Sequence, residues 1–188
     1  MITQDTPSPK QRTVTPTNIA GMGTSDGEDV ELNLMSAYVA GVIDSTGTIG
    51  VSVQKQQNTR LGYTIRPMVS VRRTQGELVG IIDNWAMEHG IRGKLNEYET
   101  EAGTKYEFSI SARDDVETVL THIEPFLLVK DNDVQIILNE ILPRLRDGVH
   151  KGDKEGFVEI MQYADMIQAG QRRETKYTAD YFRDEWNL

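Results

Sequence analysis

Twice along this chain a period-two alternation of apolar and polar residues runs, turns and runs back, and a segment of helical spacing precedes each pair. That pattern constrains the fold more than any other feature, because successive strand residues point to opposite faces and no helix accommodates such spacing. In GTIGVSVQKQQ, Ile49, Val51 and Val53 alternate with Gly50, Ser52, Gln54 and Gln56. After a turn over 58–62, YTIRPMVSVRR sets Ile65, Pro67, Val69 and Val71 against Thr64, Arg66, Met68, Ser70 and Arg72, so the two segments read as a hairpin. Residues 93–100 and 104–112 flank an Ala102–Gly103 turn, with Tyr106, Phe108 and Ile110 alternating against Lys105, Glu107 and Ser109, and read as a second hairpin.

The segments around the hairpins are helical in spacing. Residues 34–44 form an apolar run long enough for a helix buried on most sides, stopped by Gly47. Residues 77–88 carry Leu78, Ile81, Ile82 and Trp85 and stop at His89–Gly90. Further helices are expected over 114–123, over 131–142 with Pro143 as its end, over 154–169 and over 178–186. Strand pairs split by helices, without parallel crossovers, predict an α+β fold with one antiparallel sheet covered by helices on one face. Residues 1–32, rich in Thr, Ser, Pro, Gly and Asp, cannot offset the cost of ordering and read as a flexible arm, leaving 33–188 as one domain.

Composition narrows the function. The chain of 188 residues has no cysteine, which removes disulfides, thiolate zinc sites and Cys nucleophiles and fits a cytoplasmic location. No apolar run is long enough to span a bilayer, so no membrane partner is expected. His89, His122 and His150 lack ligand spacing and read as surface or capping residues, and no phosphate loop or nucleophile elbow is present, so no small-molecule cofactor is expected. The net charge of -9 argues against nucleic acid as a whole, yet residues 48–76 contain no acid and five bases, Lys55, Arg60, Arg66, Arg72 and Arg73. These bases fall on the first hairpin. If helices cover the Ile49, Val69 and Phe108 face, the other face presents Ser52, Gln54, Gln56, Thr64, Arg66, Met68, Ser70, Asn96, Tyr98, Lys105, Glu107 and Ser109, with Arg60 in the turn. A polar antiparallel ribbon fits the DNA major groove, where Arg pairs with guanine and Gln with adenine.

Residues Val39 to Gly47, VAGVIDSTG, resemble the motif that names the LAGLIDADG homing endonucleases, and the surrounding order matches that family's αββαββα unit. PFLLVKDNDVQIILNEILPRL (125–145) is similar to the segment after the fourth strand in single-motif members, and 157–186 resembles their C-terminal helices. The resemblance implies a homodimer on a pseudo-palindromic double-stranded DNA site, with Tyr38, Ala40 and Gly41 at the contact of two motif helices. It also implies Mg²⁺-dependent strand cleavage, with the metal held by an acid at motif position eight. That position is Thr46, a neutral hydroxyl, so cleavage is expected to be lost or reduced, and no residue is assigned as a metal ligand. The resemblance further assigns Asp44, the motif's other acid, and the basic Arg72, Arg73 and Lys130 to the catalytic surroundings, and Arg172, Arg173 and Lys176 to a loop on the DNA backbone. An active metal-dependent endonuclease, an intron RNA maturase-like binder and a protein scaffold are the alternatives.

Overall fold

The computed structural model describes residues 27–171 and 175–188. Helix α1 (Gly27–Thr46) leads into strands β1 (Thr48–Lys55) and β2 (Tyr63–Arg73), then helix α2 (Gly76–Glu88), strands β3 (Lys94–Thr100) and β4 (Gly103–Ile110) and helix α3 (Arg113–Ile123). The helix thus begins inside the segment expected as an arm, and 1–26 lie outside the described residues. The four strands form one antiparallel sheet in the order β1-β2-β4-β3, with β2 and β4 central. This is the α+β fold with an αββαββα core that the alternation predicts.

One sheet face is covered. Ile49, Ile65, Val69, Val71, Phe108 and Ile110 are buried together with Val79, Ile82 and Trp85 of α2 and Val116, Val119, Leu120 and Ile123 of α3. Each such fully buried aliphatic or Phe side chain contributes about 1.5–3 kcal/mol. From α1, Val39, Ala40 and Ile43 join this core. The motif's closing glycine is sterically required: a Cβ on Gly47 would lie 2.8 Å from the Ile43 Cα, while its N–H donates to the Ile43 carbonyl at 2.9 Å and turns the chain into β1.

Beyond α3, a 3₁₀ turn (Glu124–Phe126) leads to α4 (Asp131–Ile136) and α5 (Leu142–Asp147). Pro143 does not end this helix as expected. A π-helical turn over Ile137–Ile141 widens the backbone just before it and accommodates the proline in the first turn of α5, so the helical run continues through it. The rotation ends instead at Gly148, whose φ of 74° continues no right-handed helix. A second 3₁₀ turn (Val149–Lys151), α6 (Lys154–Gln171) and α7 (Ala179–Trp186) complete the chain. The Thr178 hydroxyl caps α7 by accepting the Tyr181 N–H at 3.1 Å. The last two helices pack Phe157, Phe182 and Trp186 edge-on around Tyr63 at ring distances of 4.9–6.4 Å, fixing the start of β2 and with it the first hairpin.

Candidate nucleic-acid interface

Pairing register places the polar residues. Ser52 faces Arg66 and Gln54 faces Thr64 across β1 and β2; Ser70 faces Ser109 and Arg72 faces Glu107 across β2 and β4; Asn96 faces Glu107 and Tyr98 faces Lys105 across β3 and β4. Because side chains alternate with period two, these residues and Met68 share the face opposite the core. Eleven of the expected readers, joined by Arg72, thus share that face, with Ser70 itself buried among them. Gln56 and Arg60 sit in the β1–β2 turn, where the Gln56 N–H donates to Gly62 at 2.8 Å. Lys176 is exposed, its ammonium 5.6 Å from the Tyr177 ring; Arg172 and Arg173 lie outside the described residues.

Sequence reasoning missed Lys94, which pairs with Ser109 and extends the same face. It sits at the first position of β3, and counting the alternation back from Asn96 would have found it. The face then holds Arg66, Arg72, Lys94 and Lys105 against the single carboxylate of Glu107. Its centre is prearranged: the Arg72 guanidinium donates to Glu107 at 2.8 Å and lies 5.7 Å from the Tyr98 ring, while the Tyr98 hydroxyl donates to the other Glu107 oxygen at 2.9 Å. That hydrogen bond to a carboxylate, with burial, pushes the Tyr98 phenol above its usual value. Arg73 takes the opposite parity to Arg72 and sits half-buried at the strand end, so of the two only Arg72 faces the open surface.

At the end of α1 the motif residues hold the helix to the next segment. The Asp44 carboxylate accepts the N–H groups of Leu128 at 2.7 Å and Val129 at 3.1 Å on one oxygen and of Lys130 at 2.9 Å on the other. Burial pushes this carboxyl up, but the three N–H donors and the Lys130 charge outweigh it and hold the group below the usual carboxylate range. The Lys130 ammonium donates to the Ile43 carbonyl at 2.8 Å and to the Asp44 carbonyl, neutralising the negative end of the helix. Burial pushes it down, while Asp44 and Asp133 pull it back up. The Thr46 hydroxyl donates to Val42 at 3.0 Å. These residues fit a divalent cation poorly: the carboxylate already accepts three N–H donors, the two carbonyls face an ammonium, and Thr46 offers no charge. Among the described residues no group of three or more His, Asp or Glu side chains is placed to hold a metal.

The dimer expectation needs one correction. Ala40 is fully buried in the chain's own core and cannot meet a partner. Tyr38 and Gly41 lie on the other side of α1 with Leu34, which is 68% exposed, and a Cβ on Gly41 would meet nothing within 4 Å. No described helix is long and apolar enough to cross a membrane.

No protein-family model and no curated protein matches the sequence. Solved structures do match. The homing endonuclease I-CvuI in complex with its target is 20% identical with a TM-score of 0.70, covering 82% of this chain and 94% of that one. The archaeal intron-encoded homing endonuclease I-Vdi141I complexed with DNA is 21% identical at a TM-score of 0.67, covering 86% and 99%. The group I intron-encoded homing endonuclease I-CeuI complexed with DNA is 18% identical at 0.64, covering 80% and 75%. The chain has the fold of these LAGLIDADG homing endonucleases.

Proposed function

We propose that the chain is a member of the LAGLIDADG homing endonuclease family that binds double-stranded DNA as a homodimer on a pseudo-palindromic site, with cleavage lost or strongly reduced. The observation that carries this reading is the open sheet face, where four cations and a set of hydrogen-bonding side chains share one surface with a single carboxylate. Such a face offers both phosphate neutralisation and base readout. The solved structures of similar fold include complexes with DNA, which agrees with it. An Asp44 already engaged by three N–H donors and a neutral Thr46 support the loss of cleavage.

A selection from a random duplex library at low salt with Mg²⁺ tests the reading. Enriched intact pseudo-palindromes are expected, with affinity that drops as salt rises. Cleaved ends at a fixed offset would replace it with the active-enzyme reading. Preference for intron RNA would favour the maturase-like one, and absence of duplex binding at any salt would sink it.

The exposed stripe of Leu34, Tyr38 and Gly41 supports self-association, because its bare backbone lets a second helix approach closely. Gly41→Leu is expected to leave the monomer folded, since the new side chain meets nothing in its own chain, and the loss of a helical glycine adds about 0.5–1 kcal/mol to its stability. Sedimentation should then show a monomer where the parent protein is a dimer. A dimeric Gly41→Leu variant would move the interface elsewhere.

A further inference from the structure

One residue of the open face is unlike the others. By register and parity every strand side chain there is polar or absent, apart from Met68, whose thioether is at most a weak hydrogen-bond acceptor. The pairing of the sheet leaves this half-buried side chain without an apolar cross-strand neighbour. On β1 its partner is Gly50, where a Cβ would meet nothing within 4 Å. On the other side β4 ends at Ile110, which pairs with Val69, so no β4 residue stands opposite Met68. The next side chains on the same face of its own strand are the exposed Arg66 and the buried Ser70.

A sheet surface shelters an apolar side chain through its cross-strand pair, and Met68 has none. Nothing in the pairing of the sheet calls for a thioether at this point. The surface that the face is built to meet does. Cations and hydrogen-bonding groups suit phosphates and the polar edges of base pairs, and among those edges the major groove offers one apolar substituent, the C5 methyl of thymine. A flexible, polarisable thioether beside an empty glycine position has both the chemistry and the room to enclose a methyl group.

We propose that Met68, with the space left by Gly50, reads the C5 methyl of one thymine in each half-site. The inference rests on the duplex-binding reading above and names one base pair of its site. Successive side chains on one face of a strand stand about 6.8 Å apart, about two base-pair steps, so Arg66 addresses a different pair and the methyl requirement falls on a single one.

The test starts from a duplex selected by the full-length protein. Each thymine is replaced in turn by uracil, which removes the methyl and leaves every hydrogen-bonding group in place, and affinity is measured at fixed salt. For one thymine per half-site the affinity is expected to fall about fourfold, the worth of one methyl group taken out of water. Met68→Ala is expected to bind the thymine and uracil duplexes equally. Met68→Gln, carried through the same selection, is expected to replace that thymine by adenine, the base that glutamine reads, and to keep the rest of the site, which shows the sheet intact. A methyl whose removal costs Met68→Ala as much as it costs the parent belongs to another side chain and overturns the inference, as does a Met68→Gln selection that returns the parent site. A bound duplex in which no thymine is sensitive to uracil overturns it as well and leaves the duplex-binding reading in place. A protein that binds no duplex overturns both.

Discussion

Asp44→Ala is expected to lower the unfolding free energy by about 2–4 kcal/mol in chemical denaturation, and by the same amount with or without a chelator. The change removes three N–H acceptors and the carboxylate that faces the Lys130 ammonium. Each charge-assisted bond is worth about 1.5–3 kcal/mol, but Leu128 and Val129 are exposed, so water replaces part of the loss. The pH dependence has a definite sign. The folded carboxyl titrates below its ordinary value of 3.8, so its stabilisation is present above that value and disappears as pH falls through the lower folded one. Asp44→Asn should therefore be less stable than the parent at neutral pH and converge with it in strong acid. A stability that depended on added Mg²⁺, and an Asp44→Ala loss that vanished with chelator, would instead make Asp44 a metal ligand. The loss of any activity in Asp44→Ala does not by itself identify a ligand, because the same residue anchors the helix end to the 128–130 segment.

Thr46→Asp is the complementary change. It places a carboxylate at the motif position that carries one in the family the chain resembles, and it is expected to give a Ca²⁺-dependent gain in duplex affinity of about tenfold that the parent lacks, followed by cleavage in Mg²⁺. The fold should tolerate it: Thr46 is half-buried and its hydroxyl only returns to the Val42 carbonyl, so losing that bond and adding an acid at a helix C-terminus costs about 0.5–1 kcal/mol. Equal cleavage by the parent and the variant would show that position 46 does not limit the chemistry.

The sheet was legible because its two faces differ along every strand. Ile49, Ile65, Val69 and Phe108 alternate with polar residues, so the parity of each reader follows from its number once the register is known. The end of the fourth helix was not legible, because Pro143 is a stop signal in sequence and a first-turn residue in three dimensions; the π turn that reconciles the two leaves no mark in the residue pattern. Asp44 illustrates the same divide. Its spacing from Thr46 was visible, but its partners lie 84 to 86 residues away. Ala40 and Gly41 are both small, and only helix rotation decides that one fills the chain's own core while the other faces outward. His150 reads as a surface residue because nothing local announces that α3, β2 and its own turn close around it.

On the duplex-binding reading proposed above, the bridge from Arg72 through Glu107 to Tyr98 would bear on discrimination. A guanidinium that already has a carboxylate gains little by exchanging it for one phosphate oxygen, since one charged acceptor replaces another. Leaving Glu107 is favourable only where the groove presents two acceptors in the plane of the fork, as the edge of guanine does. On unmatched sequence the pair stays closed and its charge stays compensated, so Arg72 adds little to the adhesion that slows a protein moving along DNA. Its contribution is deferred to the site where the exchange is complete.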